Sequence, residues 1–188
     1  MARFDTTNFR KDAKIYSVVG KATTGGADEQ VQVGMVGKIG NLIEDNVYEF
    51  LPLESGDTEV FYLATPEVDY DEDDYKKNTL YYFSLPEGAV ADAIEGKKHD
   101  KFTVGDNGVE VSGASVVKGG YIYAKAGERK LQYKATKPDG SDDAIQIAVI
   151  EDIKDATQGI TVQTGTSGAR ALNQIQMQYK LYVCRIIQ

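Results

Sequence analysis

The chain has 188 residues, 41% of them hydrophobic, and a formal net charge of -8 at pH 7. This length suits one domain or two small ones with a core of their own. The acidic balance repels a polyphosphate backbone and excludes nucleic acid as an expected partner. No apolar run approaches the roughly 18 residues of a membrane span, and residues 1–14 lack the apolar region of a secretory signal. We therefore expect a soluble protein, made in the cytoplasm, without membrane contact.

The residue types favour strands and turns over helices. Twelve tyrosines and 19 glycines occur, with no tryptophan, which is typical of a β-rich chain. The sequence predicts a mainly β protein, with antiparallel sandwich or barrel-like sheets, one short helix and an extended N-terminal arm.

Residues 1–14 form that arm. They show neither helical nor strand periodicity, and they contain Phe4 and Phe9. Apolar rings are costly to leave in water, so these two residues are candidate contacts with a partner, such as another subunit. The alternative is a frayed terminus.

Four β-runs are predicted before residue 65. Residues 14–19 and 30–38 are expected to pair as a hairpin with a long connection. Residues 46–52 and 58–64 follow as two further strands, joined by a polar turn. The glycines at 34, 37 and 40 do not have the spacing of a phosphate-binding loop.

An acidic segment lies at residues 68–77. Asp69, Asp71 and Asp73 have the alternate spacing of an EF-hand loop, but Asp74 stands where that loop needs glycine and Leu80 where it needs glutamate. A dedicated EF-hand is excluded. A solvated loop, weak binding of Ca²⁺ or Mg²⁺, and docking of Asp71, Asp73 and Asp74 to a basic surface remain as alternatives.

The middle of the chain begins with a strand at 80–85. A short helix is then predicted at residues 86–95, where Pro86 precedes an alanine-rich run and Gly96 follows it. Residues 97–133 are interpreted as a small β-module with glycine-rich turns. Its strands centre on the alternating residues 102–104, 109–111, 121–123 and 131–133.

The C-terminal part contains a compact apolar run at 144–150, a short strand around Ile160 and Val162, and a flexible loop at 165–169. Residues 174–183 show the clearest period-2 alternation in the chain. We expect a long terminal strand there that closes the sheet opened by the first strands.

Candidate catalytic residues are few. His99 is the only histidine and lies in a polar turn, and Cys184 lies in an apolar strand pattern, where a thiol packs as a small hydrophobe. One histidine and one cysteine serve a zinc site poorly, and no nucleophile elbow is present. We therefore predict no enzymatic activity, no catalytic or metal-binding residue and no cofactor.

Three segments carry a family resemblance: TPEVDYDE, YYFSLPEGAVADAIEGKKHDKFTVGDNGVEV and GGYIYAKAGERKLQY. Their succession, over roughly residues 65–135, resembles the decoration or cement proteins on the heads of tailed bacteriophages. The resemblance implies a non-enzymatic virion protein that binds the major capsid protein or other virion subunits, associates with itself on a lattice and lies on the capsid surface. It transfers no site residue.

Two alternatives remain open. One is another virion component, such as a tail-tube subunit that forms rings through sheet edges. The other is a β-sandwich that binds carbohydrate or peptide through tyrosine faces, for which the candidates are Tyr81, Tyr82, Tyr121 and Tyr123. In domain terms, the arm is followed by an N-terminal β-part at 15–95 and a C-terminal β-part at 96–188, as one continuous domain or two packed ones.

Overall fold

A computed structural model describes residues 5–8, 12–64, 85–113, 115–164 and 171–188, with the backbone alone described at 5–8, 158–164 and 171–177. The predicted mainly β class is confirmed. Within these ranges, twelve strands follow one another in this order: β1 (Asp5–Asn8), β2 (Ile15–Gly20), β3 (Val36–Glu44), β4 (Val47–Leu51), β5 (Val60–Leu63), β6 (Val90–Gly96), β7 (Lys101–Gly105), β8 (Val109–Glu110), β9 (Tyr121–Lys125), β10 (Leu131–Lys134), β11 (Ala144–Thr164) and β12 (Ala171–Ile186).

Strands β2 to β6 close into a five-stranded barrel in the order β2-β4-β3-β5-β6. The pair β2–β4 is parallel and the other pairs are antiparallel. Because strand residues alternate between faces, each strand sends a subset of small or aromatic side chains inward. The buried interior contains Val18, Phe50, Phe61, Leu63, Ala91 and Ala93.

The remaining strands form one seven-stranded sheet in the order β1-β7-β12-β11-β9-β10-β8. Only β10 and β8 are parallel neighbours. The two longest strands, β11 and β12, lie at the centre. The prediction that the terminal strand closes the sheet of the first strands is therefore wrong. Strand β12 is an internal strand of a second sheet.

The barrel and the sheet share a hydrophobic core. Val36, Val60 and Tyr62 of the barrel belong to the same buried cluster as the inner residues of β7, β9, β11 and β12. The rings of Tyr62 and Phe102 lie 5.1 Å apart between centroids. The chain thus packs its two sheets against each other through apolar side chains, while the division at residues 95 and 96 into two parts stays a prediction.

A buried polar bridge crosses the same junction. The hydroxyl of Tyr62 donates to Oε1 of Gln146 at 2.6 Å, and Nε2 of Gln146 donates to the carbonyl of Gly96 at 2.8 Å. Burial raises the pKa of Tyr62, so its hydroxyl remains a donor at any ordinary pH. The bridge therefore fixes β11 against β5 and β6.

Arg129 forms a second link. Its guanidinium is buried, donates to Oε2 of Glu29 at 2.7 Å and to the carbonyls of Lys21 and Phe50, and lies 5.3 Å from the Phe50 ring centroid. A planar fork with several donors suits this position better than lysine would. Arg129 thus joins the turn between β9 and β10 to the barrel.

The predicted helix at residues 86–95 is wrong. Pro86 to Ala89 form a turn, in which the amide of Ala89 donates to the carbonyl of Pro86, and Val90–Gly96 is strand β6. Ala91 and Ala93 are buried inside the barrel and alternate with exposed neighbours. Packing against the barrel interior therefore overrides the modest helical preference of this alanine-rich run.

The predicted hairpin of residues 14–19 and 30–38 is also wrong, and the first strands of the β-module do not pair with their neighbours in sequence. Strand β2 pairs with β4 and β6 instead of the 30–38 run, whose strand begins only at Val36. In the β-module, β7 pairs with β1 and β12, whereas β8 pairs with β10. A 3-10 turn at Asp106–Gly108 carries the chain from β7 to β8. In both cases a distant strand replaces the neighbour in sequence.

Candidate assembly surface

The residues predicted to contact a partner lie outside the described residues. This holds for Phe4 and Phe9 in the arm, and also for the acidic side chains Asp71, Asp73 and Asp74. Their roles stay predictions. Between the two phenylalanines, however, β1 pairs antiparallel with β7. This part of the arm therefore lies on the sheet of its own chain.

Only part of the predicted tyrosine face lies within the described residues. Tyr81 and Tyr82 lie outside the described residues, while Tyr121 and Tyr123 lie on β9 and are half-buried. They alternate with the buried Ile122 and Ala124, so both occupy the face of the sheet opposite the core. Partial burial raises the pKa of Tyr123. The two rings share a face, as the alternation predicts.

The two candidate catalytic residues lie in unlike environments. His99 is exposed in a turn with φ of 78°. Cys184 is fully buried, and burial raises the pKa of its thiol, which removes the thiolate that nucleophilic chemistry needs. The surface histidine and the buried cysteine are both confirmed. Within the described ranges, no group of three histidine, cysteine or acidic side chains could hold a metal ion.

The most distinctive feature is a long two-stranded ribbon made by β11 and β12. Strand β9 pairs with β11 only as far as Val149, and β7 pairs with β12 only as far as Leu181. Beyond these points, ten consecutive pairs from Asp155–Lys180 to Thr164–Ala171 join the two strands to each other. At about 3.3 Å per residue, this distal ribbon is roughly 30 Å long. None of the described strands supports it on either side.

The distal ribbon is also unusual in charge. The pair Asp155–Lys180 stands at its base, and residues 156–164 and 171–179 contain no charged residue. In the whole chain, by contrast, 27% of the residues are charged. An uncharged stretch of this length is the composition expected where a protein surface meets another protein.

A second exposed apolar feature lies at one end of the barrel. Strands β3 and β4 form a tight hairpin around Asp45 and Asn46, which both have positive φ, as a two-residue turn requires. Just before the turn, Leu42 is 58% exposed and Ile43 is 44% exposed. Ile15, at the start of the parallel strand β2, is 62% exposed at the same end. We call Ile15, Leu42 and Ile43 the barrel-end patch.

Charged side chains cross the outer face of the large sheet. Glu151 on β11 accepts from Nζ of Lys101 at 2.7 Å and from Nε of Arg185. These two cations lower the pKa of Glu151. The cluster joins β7, β12 and β11 at the base of the ribbon.

Comparison with protein-family models, curated proteins and solved structures finds no match for this chain. Across the part of the chain that the structure describes, no helix has the length and apolar character to cross a membrane. The features that bear on function are therefore the resemblance in sequence order, the distal ribbon and the barrel-end patch.

Proposed function

We propose that this chain is a non-enzymatic structural protein of a tailed bacteriophage that binds the capsid and stabilises or decorates it. It is made in the host cytoplasm and becomes part of the virion on the outer surface of the head. Its partners are the major capsid protein or other virion subunits. No cofactor or metal takes part.

The observation that carries this proposal is the distal ribbon. An isolated two-stranded hairpin is marginally stable in water, and a third strand or a packed surface is usually needed. Ten residue pairs without a third strand among the described residues are therefore costly for a protein that acts alone. They are useful in a protein that gains its remaining contacts from neighbours in an assembly.

Charge supports the outer surface of the head over the inner one. The interior of a filled head is packed with nucleic acid, and a chain with net charge -8 would be repelled by it. On the outer surface, the same charge keeps unassembled copies soluble. The contact regions proposed for the shell are the arm at Phe4 and Phe9, the acidic residues Asp71, Asp73 and Asp74, and the barrel-end patch.

The tail-tube alternative receives less support from the sheet edges. Rings need a heterologous contact between two different surfaces of the subunit. In the described part of the large sheet, the outer strands β1 and β8 have four and two residues, and the barrel is closed. These two outer edges offer few hydrogen bonds for ring formation, so rings would have to form through the longer edges of the ribbon. The binding-module alternative depends on the half-buried Tyr121 and Tyr123, which are as well explained by packing.

Co-sedimentation of the purified protein with phage heads that lack it tests the proposal. We expect saturable binding, weakened when Phe4 and Phe9 are both replaced by alanine. Point substitutions are preferable to deletion of the arm, because deletion would remove β1 from the edge of β7. Val117→Ala is the matched control, since Val117 is 50% exposed and belongs to none of the proposed contact regions.

Each contrary result has a distinct meaning. If the protein does not bind heads and forms rings or tubes alone, it is a tail component. If it remains indifferent to heads and forms no rings, the binding-module alternative takes precedence.

A further inference from the structure

One edge of the ribbon is unusually open to pairing. Strand β12 bonds to β11 on one side, and on its other side β7 ends at Gly105, opposite Leu181. There Asp106 accepts from the backbone amide of Lys180 at 3.4 Å. Backbone groups alternate along a strand, so the amides of residues 178, 176 and 174 face the same side as that of Lys180. No described strand bonds to them.

The β11 edge of the ribbon carries features that discourage pairing. Strand β11 has a register shift between Ile150 and Asp152, then Lys154 and Asp155, and further on Gly159. Bulges, charges and glycine all weaken an edge as a template. The β12 edge is different, since residues 171–179 contain no charge, no proline and no glycine. Proteins rarely leave such an edge uncovered.

We propose that the β12 edge, residues 171–179, pairs antiparallel with the same edge of a second copy of this chain. The two ribbons would then form a four-stranded sheet across a two-fold axis. This names the site and the geometry of self-association, and it does not require that the capsid proposal be correct.

The chemistry of the segment favours a second copy over a different partner. In an antiparallel homotypic contact the segment faces itself, so any charge would meet its like and destabilise the pair. Residues 171–179 have none. The segment contains three amide side chains, each with both donors and acceptors: Gln174, Gln176 and Gln178. It also contains two apolar residues, Ile175 and Met177, which can contact apolar residues of the second copy. Every residue type in the segment is self-complementary.

The length of the distal ribbon reduces the electrostatic repulsion between two copies of the chain. Two bodies with net charge -8 each repel one another at short range, but the Debye length is only about 8 Å at physiological ionic strength. The distal ribbon extends roughly 30 Å. Contact through ribbon edges therefore lets two acidic copies associate with most of their repulsion screened.

The geometry also limits the assembly. A contact between identical edges is isologous and closes at two copies, so the free protein should form dimers and no larger rings. If the capsid proposal also holds, each dimer would link two binding positions on the shell.

The test is the mass of the full-length free protein by light scattering after gel filtration, without heads. We expect a dimer. Replacing Gln174 and Gln176 by lysine should weaken dimerisation by at least about tenfold, because the lysines of two copies would face each other. Gln176→Pro should act similarly, since it removes one outward amide and leaves the ladder to β11 intact.

The matched control places the same two charges on the other strand. Thr157→Lys with Thr161→Lys alters β11 at positions opposite Gln178 and Gln174, and it should remain dimeric. Circular dichroism and melting curves confirm that all variants are folded. A wild-type monomer at high micromolar concentration, equal dissociation of both lysine variants, or closed rings would each overturn the proposal. Binding to heads is judged separately by sedimentation.

Discussion

Removal of a single hydroxyl from the junction between the barrel and the sheet should measurably destabilise the protein. The Tyr62→Phe substitution removes the hydroxyl that donates to Oε1 of Gln146. Both side chains are buried, Tyr62 at 1% and Gln146 at 8% exposure. The amide cannot simply rotate, because Nε2 would then lose the carbonyl of Gly96. A buried acceptor left without a partner costs about 1–3 kcal/mol.

For a chain of this size, a loss of about 2 kcal/mol lowers the midpoint of thermal unfolding by roughly 4–8 °C. Differential scanning calorimetry measures the shift. Tyr121→Phe makes the same chemical change at a half-buried position on the outer face and should alter stability by less than about 0.5 kcal/mol. A Tyr62→Phe protein that melts at the wild-type temperature would contradict a stabilising role of this hydrogen bond. Two separate transitions, of which only one moves, would contradict the shared core.

Three further predictions concern the barrel-end patch, Glu151 and the buried Cys184. Leu42→Ser with Ile43→Ser should weaken binding to heads and leave the melting temperature nearly unchanged, since both side chains are largely exposed. Glu151→Gln should reduce stability at pH 7 by at most about 1 kcal/mol. The lowered pKa of Glu151 gives stability that is present above its unfolded pKa and lost as pH falls through the folded pKa, so the variant should lose less on acidification in urea titrations. Cys184 should react with a thiol reagent only as fast as the protein unfolds; rapid reaction in the native state would contradict its burial.

The strands with clean alternation were predictable from sequence. Residues 121–123, 131–133 and 174–183 alternate apolar and polar side chains, and they form β9, β10 and part of β12. The alternation arises because one face of each strand meets the core, which is a local property. Burial of Cys184 followed from the same pattern.

Pairing partners were less predictable, because they depend on contacts between distant residues. Strand β2 bonds to β4 and β6, and nothing local to residues 15–20 specifies these neighbours. In the run at 90–96, alanine is compatible with a helix and with a crowded barrel interior, and only the barrel decides.

The length of the ribbon could not be predicted from the sequence for a different reason. Residues 144–150 and 160–162 looked like separate strands because charged residues and Gly159 interrupt the pattern between them. In the structure they belong to one strand of 21 residues. The available signal was the absence of charge from residues 156–164 and 171–179, which is informative only once the register sets the two segments side by side.

Cross-linking mass spectrometry on intact purified phage particles tests whether this chain is bound to the capsid. Lys118 and Lys154, which are both exposed, provide reactive amines on this chain. We expect the chain to be present in the particles, with its lysines linked to the major capsid protein. Links to tail proteins alone, or absence of the chain from purified particles, would contradict it.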